Sequence, residues 1–349
     1  MKEDYKFTIK RFKKENLSSD ELKNSLLFNE NLEIYELKRS ESIINNKIMI
    51  VKNKINFLNK PCLLLEEICE ISQGIVEATD RISYKMLNKV QNKKDYKVGQ
   101  GVFVFNINEL KKINPNESEK KFLKPYLDAQ DVSRYYYKWK NNFVWYVGNK
   151  ENKKIKADKI NYKNMKKYLD YVSRFITSSN KPYGIHRTRD SKFFKSPKLL
   201  CKNMINKPCF AYCEEEFYIN MSFNVIIQKI KDYSLKYILG ILNSKFGEYW
   251  FNSNAKKRGI NVDIGVGILK KFPIKRIDFN NKYEIEIYQK IVNDVEIVIS
   301  LYKQLNDNKG MTADAIKSNI DKVDKEIDNL VYELYGLTEE EIKIIEEIK

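Results

Sequence analysis

The stretch Phe223-Asn-Val-Ile-Ile-Gln228 is followed, after a short linker, by Ser234-Leu-Lys-Tyr-Ile-Leu-Gly-Ile-Leu-Asn-Ser244. The first part is a short apolar run rich in β-branched residues, which predicts a buried strand. The second part begins at Ser234, a residue suited to an N-cap, and repeats apolar residues at helical spacing as far as Trp250. The residues of this apolar face are Tyr237, Ile238, Ile241, Leu242, Phe246 and Trp250. We therefore predict a strand followed by an amphipathic helix over 234–250.

Similar short elements extend this pattern toward the N-terminus. Strands are predicted at Gly101–Phe105, Phe143–Val147, Lys198–Lys202 and Cys209–Tyr212, and a helix at Asn161–Phe175. The strands are short, separated by polar loops and mixed with helical stretches. We therefore predict an α+β domain with a mixed sheet over about 61–280.

The C-terminal part has a purely helical pattern. Apolar residues keep helical spacing over 288–305 and again over 316–334, with a break at Asp307-Asn-Lys-Gly310. Two helices joined by so short a break predict an antiparallel hairpin. The apolar stripes are then the hairpin core, and a protein-docking surface is the alternative. The helical region is predicted to cover 281–349.

A third, shorter helix is predicted at the end of this region. Gly336 is placed to stop the second helix of the hairpin. Thr338 and Glu341 have the spacing of a capping box, which predicts a helix over Glu339–Ile348.

Residues 1–60 are charged and only patchily apolar. Glu21–Phe28 and Ile43–Phe57 each predict a short helix or strand, without an apolar run able to form a core of its own. We interpret this segment as a connecting arm or an interface for a partner.

The composition of the 349-residue chain excludes several classes of protein. No apolar run approaches the length of a membrane span, and the N-terminus has no apolar secretory signal. The five cysteines are irregularly spaced. A zinc site built from Cys201, Cys209, Cys213 and His186 is conceivable, but the CxxC and paired-His spacings are absent, which favours buried reduced thiols. A cytoplasmic protein is predicted.

Positive charge is concentrated in one segment. Lys150–Lys207 contains seventeen Lys or Arg and four acidic residues, whereas 311–349 contains eleven acidic and five basic residues in a chain of net charge +17. Aromatic residues are interleaved with the basic ones, and Ser178–Asp190 is too rich in turn-forming residues for a regular helix. Compositional bias alone would spread the basic excess evenly, so we predict a binding face for a polyanion, with DNA or RNA the obvious choice.

Arg187 and Arg189, one residue apart in this turn-rich segment, are the predicted base readers. The planar guanidinium of Arg matches the two acceptors of guanine, whereas Lys acts as a point charge. The alternative is that one or both pair with Asp190 or another carboxylate to hold the loop. Lysines within 150–170 suit phosphate contacts.

Three other candidates for DNA contact have weaker signals. Gln73 is suited to adenine but could equally cap a strand. Tyr183 and His186 could stack on DNA or serve as packing anchors.

A further basic patch follows the helix 234–250 and consists of Lys256, Lys257 and Arg258. All three are predicted DNA-binding residues, although the helix dipole favours cations near a helix end anyway. The remaining predicted DNA-binding residues are Arg174, Lys181, Lys192 and Lys202.

Features that enzymes of nucleic-acid metabolism need are missing. No Gly-Lys-Ser/Thr phosphate loop and no Pro-Pro tetrapeptide of a base-flipping methyltransferase occur, and the chain has one histidine. Gly265 and Gly267 lack the third glycine and the expected strand–turn–helix context of a cofactor loop. Metal-dependent nucleases can use an acidic residue followed by Glu-x-Lys, but this tripeptide recurs in the chain as chance would give in a Lys-rich sequence. Asp131 with Glu151 is therefore a weak candidate for a nuclease site. No catalytic or metal site is predicted, with an endonuclease or an RNA-binding protein as alternatives.

Six segments, in order along the chain, resemble one known family. They are Glu70-Ile-Ser-Gln-Gly-Ile-Val-Glu-Ala-Thr-Asp80, Phe122-Leu-Lys-Pro-Tyr-Leu-Asp-Ala-Gln-Asp-Val-Ser-Arg-Tyr135, Ser196–Leu200 with Phe210–Tyr212, Ile238–Ser244, Leu269–Ile274 and Glu326–Ile342. Together they resemble the TaqI-like C-terminal specificity domain of adenine-specific DNA methyltransferases and type IIG restriction–modification enzymes. The resemblance covers 70–342, and no single segment carries it.

The resemblance implies a DNA target-recognition module, which in this family normally follows a methyltransferase domain that uses S-adenosylmethionine. This sequence departs from the family pattern because the catalytic half is not found. It implies either a free-standing specificity subunit or the recognition half of a longer enzyme, which the sequence does not separate. The expected partners are double-stranded DNA and a methyltransferase or methyltransferase–nuclease, which would hold S-adenosylmethionine and, where DNA is cleaved, Mg²⁺. No cofactor is expected in this chain.

Overall fold

The strand predicted at Phe223–Gln228 lies inside a four-stranded sheet. The computed structural model describes residues 6–12, 32–38, 43–44, 47–48, 61–158 and 160–347. The chain divides into two compact units, Met1–Asn56 and Phe57–Lys349. None of the helices within the described residues has the length and apolar character needed to cross a membrane.

The described residues alternate between short strands and helices. The strands are β1 (Lys6–Phe12), β2 (Leu32–Lys38), β3 (Ile43–Ile44), β4 (Lys47–Ile48), β5 (Cys62–Leu64), β6 (Cys69–Gln73), β7 (Val104–Asn106), β8 (Leu123–Leu127), β9 (Asn142–Trp145), β10 (Lys198–Lys202), β11 (Met204–Ile205), β12 (Phe210–Cys213), β13 (Tyr218–Ile219), β14 (Phe223–Gln228), β15 (Lys256–Arg258), β16 (Asn261–Asp263) and β17 (Pro273–Lys275). The helices are α1 (Leu65–Ile68), α2 (Tyr84–Leu87), α3 (Ile107–Ile113), α4 (Glu117–Lys120), α5 (Asn149–Ala157), α6 (Lys163–Tyr171), α7 (Lys192–Lys195), α8 (Leu235–Asn243), α9 (Lys245–Asn254), α10 (Val266–Leu269), α11 (Lys282–Asp307), α12 (Met311–Leu334) and α13 (Glu339–Glu346), with 3₁₀ turns at Lys93–Asp95, Ala129–Asp131 and Ser173–Phe175.

The first four-stranded sheet has the order β12-β10-β14-β6, and all its strands are antiparallel. Strands β10 and β14 begin and end at the predicted residues, and β12 lies one residue later than predicted. Gln73 pairs with Asn224, which places the end of β6 beside the start of β14.

The second sheet has the order β13-β8-β9-β7 and is mixed, because β13 runs parallel to β8 while the other pairs are antiparallel. Phe103, Val104 and Trp145 have no exposed surface and belong to one apolar core shared by both sheets. The predicted mixed-sheet α+β class is confirmed. Strands β7 and β9 are each shifted by one to three residues from their predicted bounds.

A three-stranded ribbon, β11-β16-β15, extends from the first sheet. Its root is fixed by two hydrogen bonds: Ile264 N–H donates to the Asn203 carbonyl (2.7 Å), and Asn224 Nδ2 donates to the Ile264 carbonyl (2.6 Å). The turn between β15 and β16 therefore projects from a well-anchored base.

The single helix predicted over 234–250 is wrong, because the chain forms two helices, α8 and α9, that meet at Ser244. Ser244 has an extended backbone (ψ 167°), and its hydroxyl accepts a hydrogen bond from Gly247 N–H (3.2 Å), which caps α9. Asn243, the last residue of α8, makes two 3.0 Å side-chain hydrogen bonds to the backbone N–H and carbonyl of Phe210 in β12. These side-chain contacts take the place of continued helical hydrogen bonds.

The C-terminal helices form the predicted antiparallel hairpin with a buried apolar core. A Cβ atom on Gly240 of α8 would lie 2.7 Å from Ile291 Cγ2 of α11 and 3.7 Å from Ile327 Cγ2 of α12. Three helices therefore meet at this glycine, and its lack of a side chain permits their close approach. Gly336 ends α12 at a positive φ (56°) and Thr338 caps α13, as predicted.

Among residues 1–60, β1 pairs with β2 and β3 pairs with β4, both antiparallel. The second of these pairs lies within the segment predicted at Ile43–Phe57, whereas Glu21–Phe28 lies outside the described residues. The role of 1–60 as an arm, and the domain limits at 60 and 280, stay predictions.

Candidate nucleic-acid interface

Loop 178–190, the turn-rich part of the basic segment, is fixed to the sheets by its backbone. It contains no helix, as predicted, and no strand. Arg187 and Val76 exchange two backbone hydrogen bonds (2.9 and 3.0 Å). The Tyr146 hydroxyl donates to the Arg189 carbonyl (2.6 Å) and accepts from the Arg189 N–H (3.1 Å). The loop is therefore a rigid platform for its exposed side chains.

The two arginines of this loop have different surroundings. Arg187 is exposed, and its guanidinium has no hydrogen-bond or ion-pair partner within the described residues. Arg189 is half-buried, and it donates from Nε to the Gly74 carbonyl (3.1 Å) and from a terminal nitrogen to Gln73 Oε1 (3.4 Å). Burial, together with the charge of Arg187, lowers the pKa of Arg189. No ion pair joins either arginine to Asp190 or another carboxylate in the described part of the chain, whereas Arg189 links the loop to Gln73 and Gly74.

Gln73 lies at the end of β6, beside this loop. Its Nε2 donates to the Met221 carbonyl (2.8 Å), which also accepts from Asn203 Nδ2 (2.6 Å). The structure thus brings Gln73, Arg187 and Arg189 together at one edge of the first sheet, which we call the sheet-edge cluster. No sequence pattern indicated Met221 and Asn203, because single polar or apolar loop residues show neither charge excess nor periodicity.

Two further predicted residues of the loop are placed differently. Tyr183 is buried, and its hydroxyl donates to Asp170 Oδ1 (2.8 Å); burial, with this contact, raises its pKa to about 12. These surroundings are those of a packing anchor. His186 is exposed, with its Nδ1 3.0 Å from Ser179 Oγ.

The other predicted cations near the loop differ in their freedom to contact a ligand. The Arg174 guanidinium lies over the ring of Tyr96 (5.4 Å), and Lys192 forms an ion pair with Glu70 (2.5 Å). Lys181 is exposed, and Lys202 is half-buried at the end of β10. Arg187 and Lys181 are therefore freer to contact a ligand than the first two.

Helix α5 brings further positive charge to the loop. A Cβ on Gly148, the N-cap of this helix, would lie 3.3 Å from Thr188 Cγ2, so α5 begins directly beside loop 178–190. The exposed cations of the basic segment are Lys150, Lys153, Lys154, Lys156, Lys163, Lys167, Arg174, Lys181, Arg187, Lys192, Lys195 and Lys207. Most of the predicted basic face is available to solvent.

Two lysines of the basic segment do not contribute to that face. Lys198 is fully buried, and its Nζ donates to the carbonyls of Phe194 (2.8 Å) and Glu215 (2.5 Å); burial lowers its pKa. Lys166 Nζ donates to the Asp158 carbonyl (3.0 Å) just beyond α5. The exposed charge is therefore smaller than the sequence count, because backbone carbonyls bind these two ammonium groups.

The predicted patch of Lys256, Lys257 and Arg258 forms strand β15, and all three residues are exposed. As predicted, this patch follows a helix, because α9 ends at Asn254; the structure adds that the patch is a strand of the ribbon, in which Lys257 pairs with Val262 of β16. Arg258 lies 3.5 Å from an oxygen of Asp263, also in β16. The roles of Lys256, Lys257 and Arg258 in DNA binding stay predictions.

The turn between β15 and β16 carries an exposed apolar side chain beside these cations. Gly259 has a positive φ (63°) and Ile260 is 89% exposed. Since β16 is anchored through Asn203, this ribbon flanks the sheet-edge cluster.

A buried carboxyl lies next to the loop. Glu77 is 5% exposed, and burial raises its pKa to about 7, with Asp80 and Asp128 adding to the shift. Burial therefore disfavours the charged form of this carboxyl beneath the basic loop.

We expect Gly74→Ala to destabilise the protein by about 1–3 kcal/mol, the usual cost of overpacking. A Cβ at residue 74 would lie 2.5 Å from the Ile219 carbonyl oxygen and closer still to that of Asn220. The strain falls on the sheet-edge cluster, because Arg189 binds the Gly74 carbonyl. Denaturant unfolding measures the loss. The matched control is Gly267→Ala, where a Cβ meets nothing within 4 Å and a change within about 0.5 kcal/mol is expected; equal losses in both variants would contradict the packing argument.

The glycines and cysteines considered for cofactor or metal binding lie in local structures unlike those of such sites. The prediction that Gly265 and Gly267 lack a strand–turn–helix context is wrong, because strand β16 precedes them and helix α10 follows. This unit nevertheless differs from a cofactor-binding βα unit, because α10 has only four residues and β16 belongs to an antiparallel ribbon. No group of His, Cys, Asp and Glu within the described residues could hold a metal ion. Cys201 and Cys213 are buried free thiols whose pKa burial raises.

Comparison with known proteins agrees with this arrangement. The chain is 24% identical over 250 residues to the type II methyltransferase M.MjaIV of Methanocaldococcus jannaschii, over 68% of this chain and 74% of that protein. It is similar in fold to the type IIL restriction–modification enzyme MmeI, solved in complex with DNA (TM-score 0.56, 12% identity), over 90% of this chain but only 39% of MmeI. Residues 124–274 match the TaqI-like C-terminal specificity domain. This match confirms, over residues 124–274, the resemblance to that domain inferred from the six sequence segments.

Proposed function

We propose that this chain recognises a specific sequence in double-stranded DNA and leaves the chemistry to a methyltransferase or methyltransferase–nuclease partner. One observation carries the proposal: Arg187 is exposed and unpaired within the described residues, on a loop whose backbone is fixed to a sheet edge, in a domain of the TaqI-like specificity family. A guanidinium held in this way can donate two hydrogen bonds to guanine in the major groove.

The remaining parts of the interface would act on the DNA backbone. Exposed lysines of α5, which begins beside Thr188, and of β15 are suited to phosphate contacts, which fix register without reading sequence. S-adenosylmethionine, and Mg²⁺ if the system cleaves DNA, would be held by the partner.

Incubation of the purified chain with duplex DNA tests the absence of chemistry. With methyl-labelled S-adenosylmethionine we expect no label in the DNA, and with Mg²⁺ and plasmid we expect no nicking. Addition of the catalytic partner should restore methylation at the sequence that the chain binds. Methyl transfer or cleavage by the chain alone would contradict the proposal.

A second candidate is that the chain is itself a methyltransferase. It is favoured by the similarity to M.MjaIV, a protein named as a methyltransferase, 74% of which is covered by the match. The labelling assay above separates the two candidates, because only this one predicts transfer without a partner.

Arg187→Ala is expected to weaken binding to the selected DNA sequence by about 1–3 kcal/mol and to relax the preference at one base pair. Fluorescence anisotropy with duplexes substituted at each position measures both effects. Arg276→Ala is the control, because Arg276 is also exposed but follows β17, away from loop 178–190 in sequence. An equal loss on all sequences would mark Arg187 as a phosphate contact.

A further inference from the structure

The amide of Gln73 is oriented by partners that distinguish its two ends. The Met221 carbonyl can only accept a hydrogen bond, so the group 2.8 Å from it must be the amide nitrogen, Nε2. The Arg189 guanidinium can only donate, so the group 3.4 Å from its terminal nitrogen must be the amide oxygen, Oε1. Both ends are thus fixed, and the flipped amide would face an acceptor with its oxygen and a donor with its nitrogen.

Each end of this amide keeps hydrogen-bonding capacity. A side-chain amide has two N–H donors and two acceptor lone pairs, and one of each is used internally. Gln73 is half-buried rather than enclosed, and it contacts Arg189, two residues after the exposed Arg187. One donor and one acceptor therefore remain on a side chain whose conformation is already fixed.

The Arg189 side chain is held in turn. Its Nε donates to the Gly74 carbonyl (3.1 Å), and its backbone N–H and carbonyl both form hydrogen bonds with the Tyr146 hydroxyl. These bonds direct its guanidinium to the sheet edge, in contrast to the unpaired guanidinium of Arg187 within the described residues.

We propose that Gln73 reads an adenine in the major groove and that Arg189 is a positioning residue that holds its amide, rather than a base reader. Adenine offers an N6 donor beside an N7 acceptor, which complements the free acceptor and donor of the amide, whereas guanine offers two acceptors. Preorganisation removes the entropy cost of ordering the side chain on binding. This inference rests on the proposed function, sequence-specific binding of duplex DNA.

The test uses the full chain and the duplex that it selects from a random library. Each adenine of that duplex is replaced in turn by 7-deazaadenine, which keeps base pairing but lacks the N7 acceptor. We expect one position to weaken wild-type binding about fivefold, the effect of one hydrogen bond. Gln73→Ala should abolish the sensitivity at that position, and so should Gln73→Glu, which keeps the side-chain shape but lacks the N–H donor.

Arg189→Met separates positioning from reading. We expect it to remove the same 7-deazaadenine sensitivity and to leave preferences at other base pairs unchanged. The double variant Arg189→Met with Gln73→Ala should bind no more weakly than Gln73→Ala alone. Gln304→Ala, an exposed glutamine of α11, is the control and should behave as wild type.

Tolerance of 7-deazaadenine at every position, or sensitivity that persists in Gln73→Ala, would overturn the adenine assignment while leaving sequence-specific binding intact. A changed preference at a different base pair in Arg189→Met would identify Arg189 as a reader. If the wild-type chain selected no sequence at all, the proposed function itself would fail.

Discussion

Arg134→Leu is expected to lower the free energy of unfolding by about 3 kcal/mol, because it leaves a carboxylate without its cation in a largely buried site. Arg134 forms an ion pair with Asp324 of α12 and donates to the Asn243 carbonyl (2.8 Å) at the end of α8. The side chains of the ion pair are 28% and 18% exposed, so the loss should lie at the low end of the range for buried pairs. Nearby, burial raises the pKa of Asp328 to about 7.

Guanidinium unfolding followed by circular dichroism measures this loss. Two variants test its cause. Lys317→Leu removes an exposed ion pair with Asp314 (3.0 Å) in the same helix and should cost less than about 1 kcal/mol. Arg134→Leu combined with Asp324→Leu should recover much of the stability, since no charge is then left unpaired. A loss below about 1 kcal/mol for Arg134→Leu alone would show that this pair does not tie the helices to the sheets.

Affinity for DNA is expected to fall about 10³–10⁵-fold between about 50 and 200 mM salt, if six to ten phosphates are contacted. The exposed cations of α5, α6 and loop 178–190 supply enough positive charge for such a contact area. Each phosphate contact releases counterions, and this release gives the linear dependence of log K on log salt. Titration of a fluorescent duplex at several salt concentrations measures the slope.

The triple variant Lys153→Gln, Lys154→Gln and Lys156→Gln identifies the source of that slope. If all three contact phosphates, the magnitude of the slope should decrease by about 2.7. The triple variant Lys317→Gln, Lys322→Gln and Lys325→Gln, on the acidic helix α12, removes the same number of exposed charges and should leave the slope unchanged. A flat salt dependence in the wild type would contradict the electrostatic part of the proposal.

The elements that could be predicted from the sequence are those with a continuous apolar pattern of their own. Strands β10 and β14 and the helices of the C-terminal hairpin have continuous apolar patterns, and they form where predicted. The break at Ser244 depends on Asn243 finding Phe210, a partner distant in sequence that no local pattern reveals. Strands β1 and β2 alternate apolar and polar residues only in part and contain no continuous apolar run, so no local pattern predicted them as strands.

The candidate site likewise has features that the sequence predicted and features that only the structure shows. The charge excess located loop 178–190, and Arg187 is exposed there as expected for a reader. The burial of Lys198 and Tyr183 could not be predicted, because it depends on carbonyls and a carboxylate that only the fold brings near. The contact between Gln73 and Arg189 joins residues more than one hundred positions apart, so their different roles emerge only from the structure.

Selection of duplexes bound by the full chain from a random library, followed by affinity measurement at fixed salt, tests the central claim most directly. We expect one enriched sequence that binds at least about 10³-fold more tightly than a scrambled duplex. Single-stranded RNA should compete poorly. Equal affinity for the enriched and scrambled duplexes would contradict sequence-specific DNA recognition by this chain.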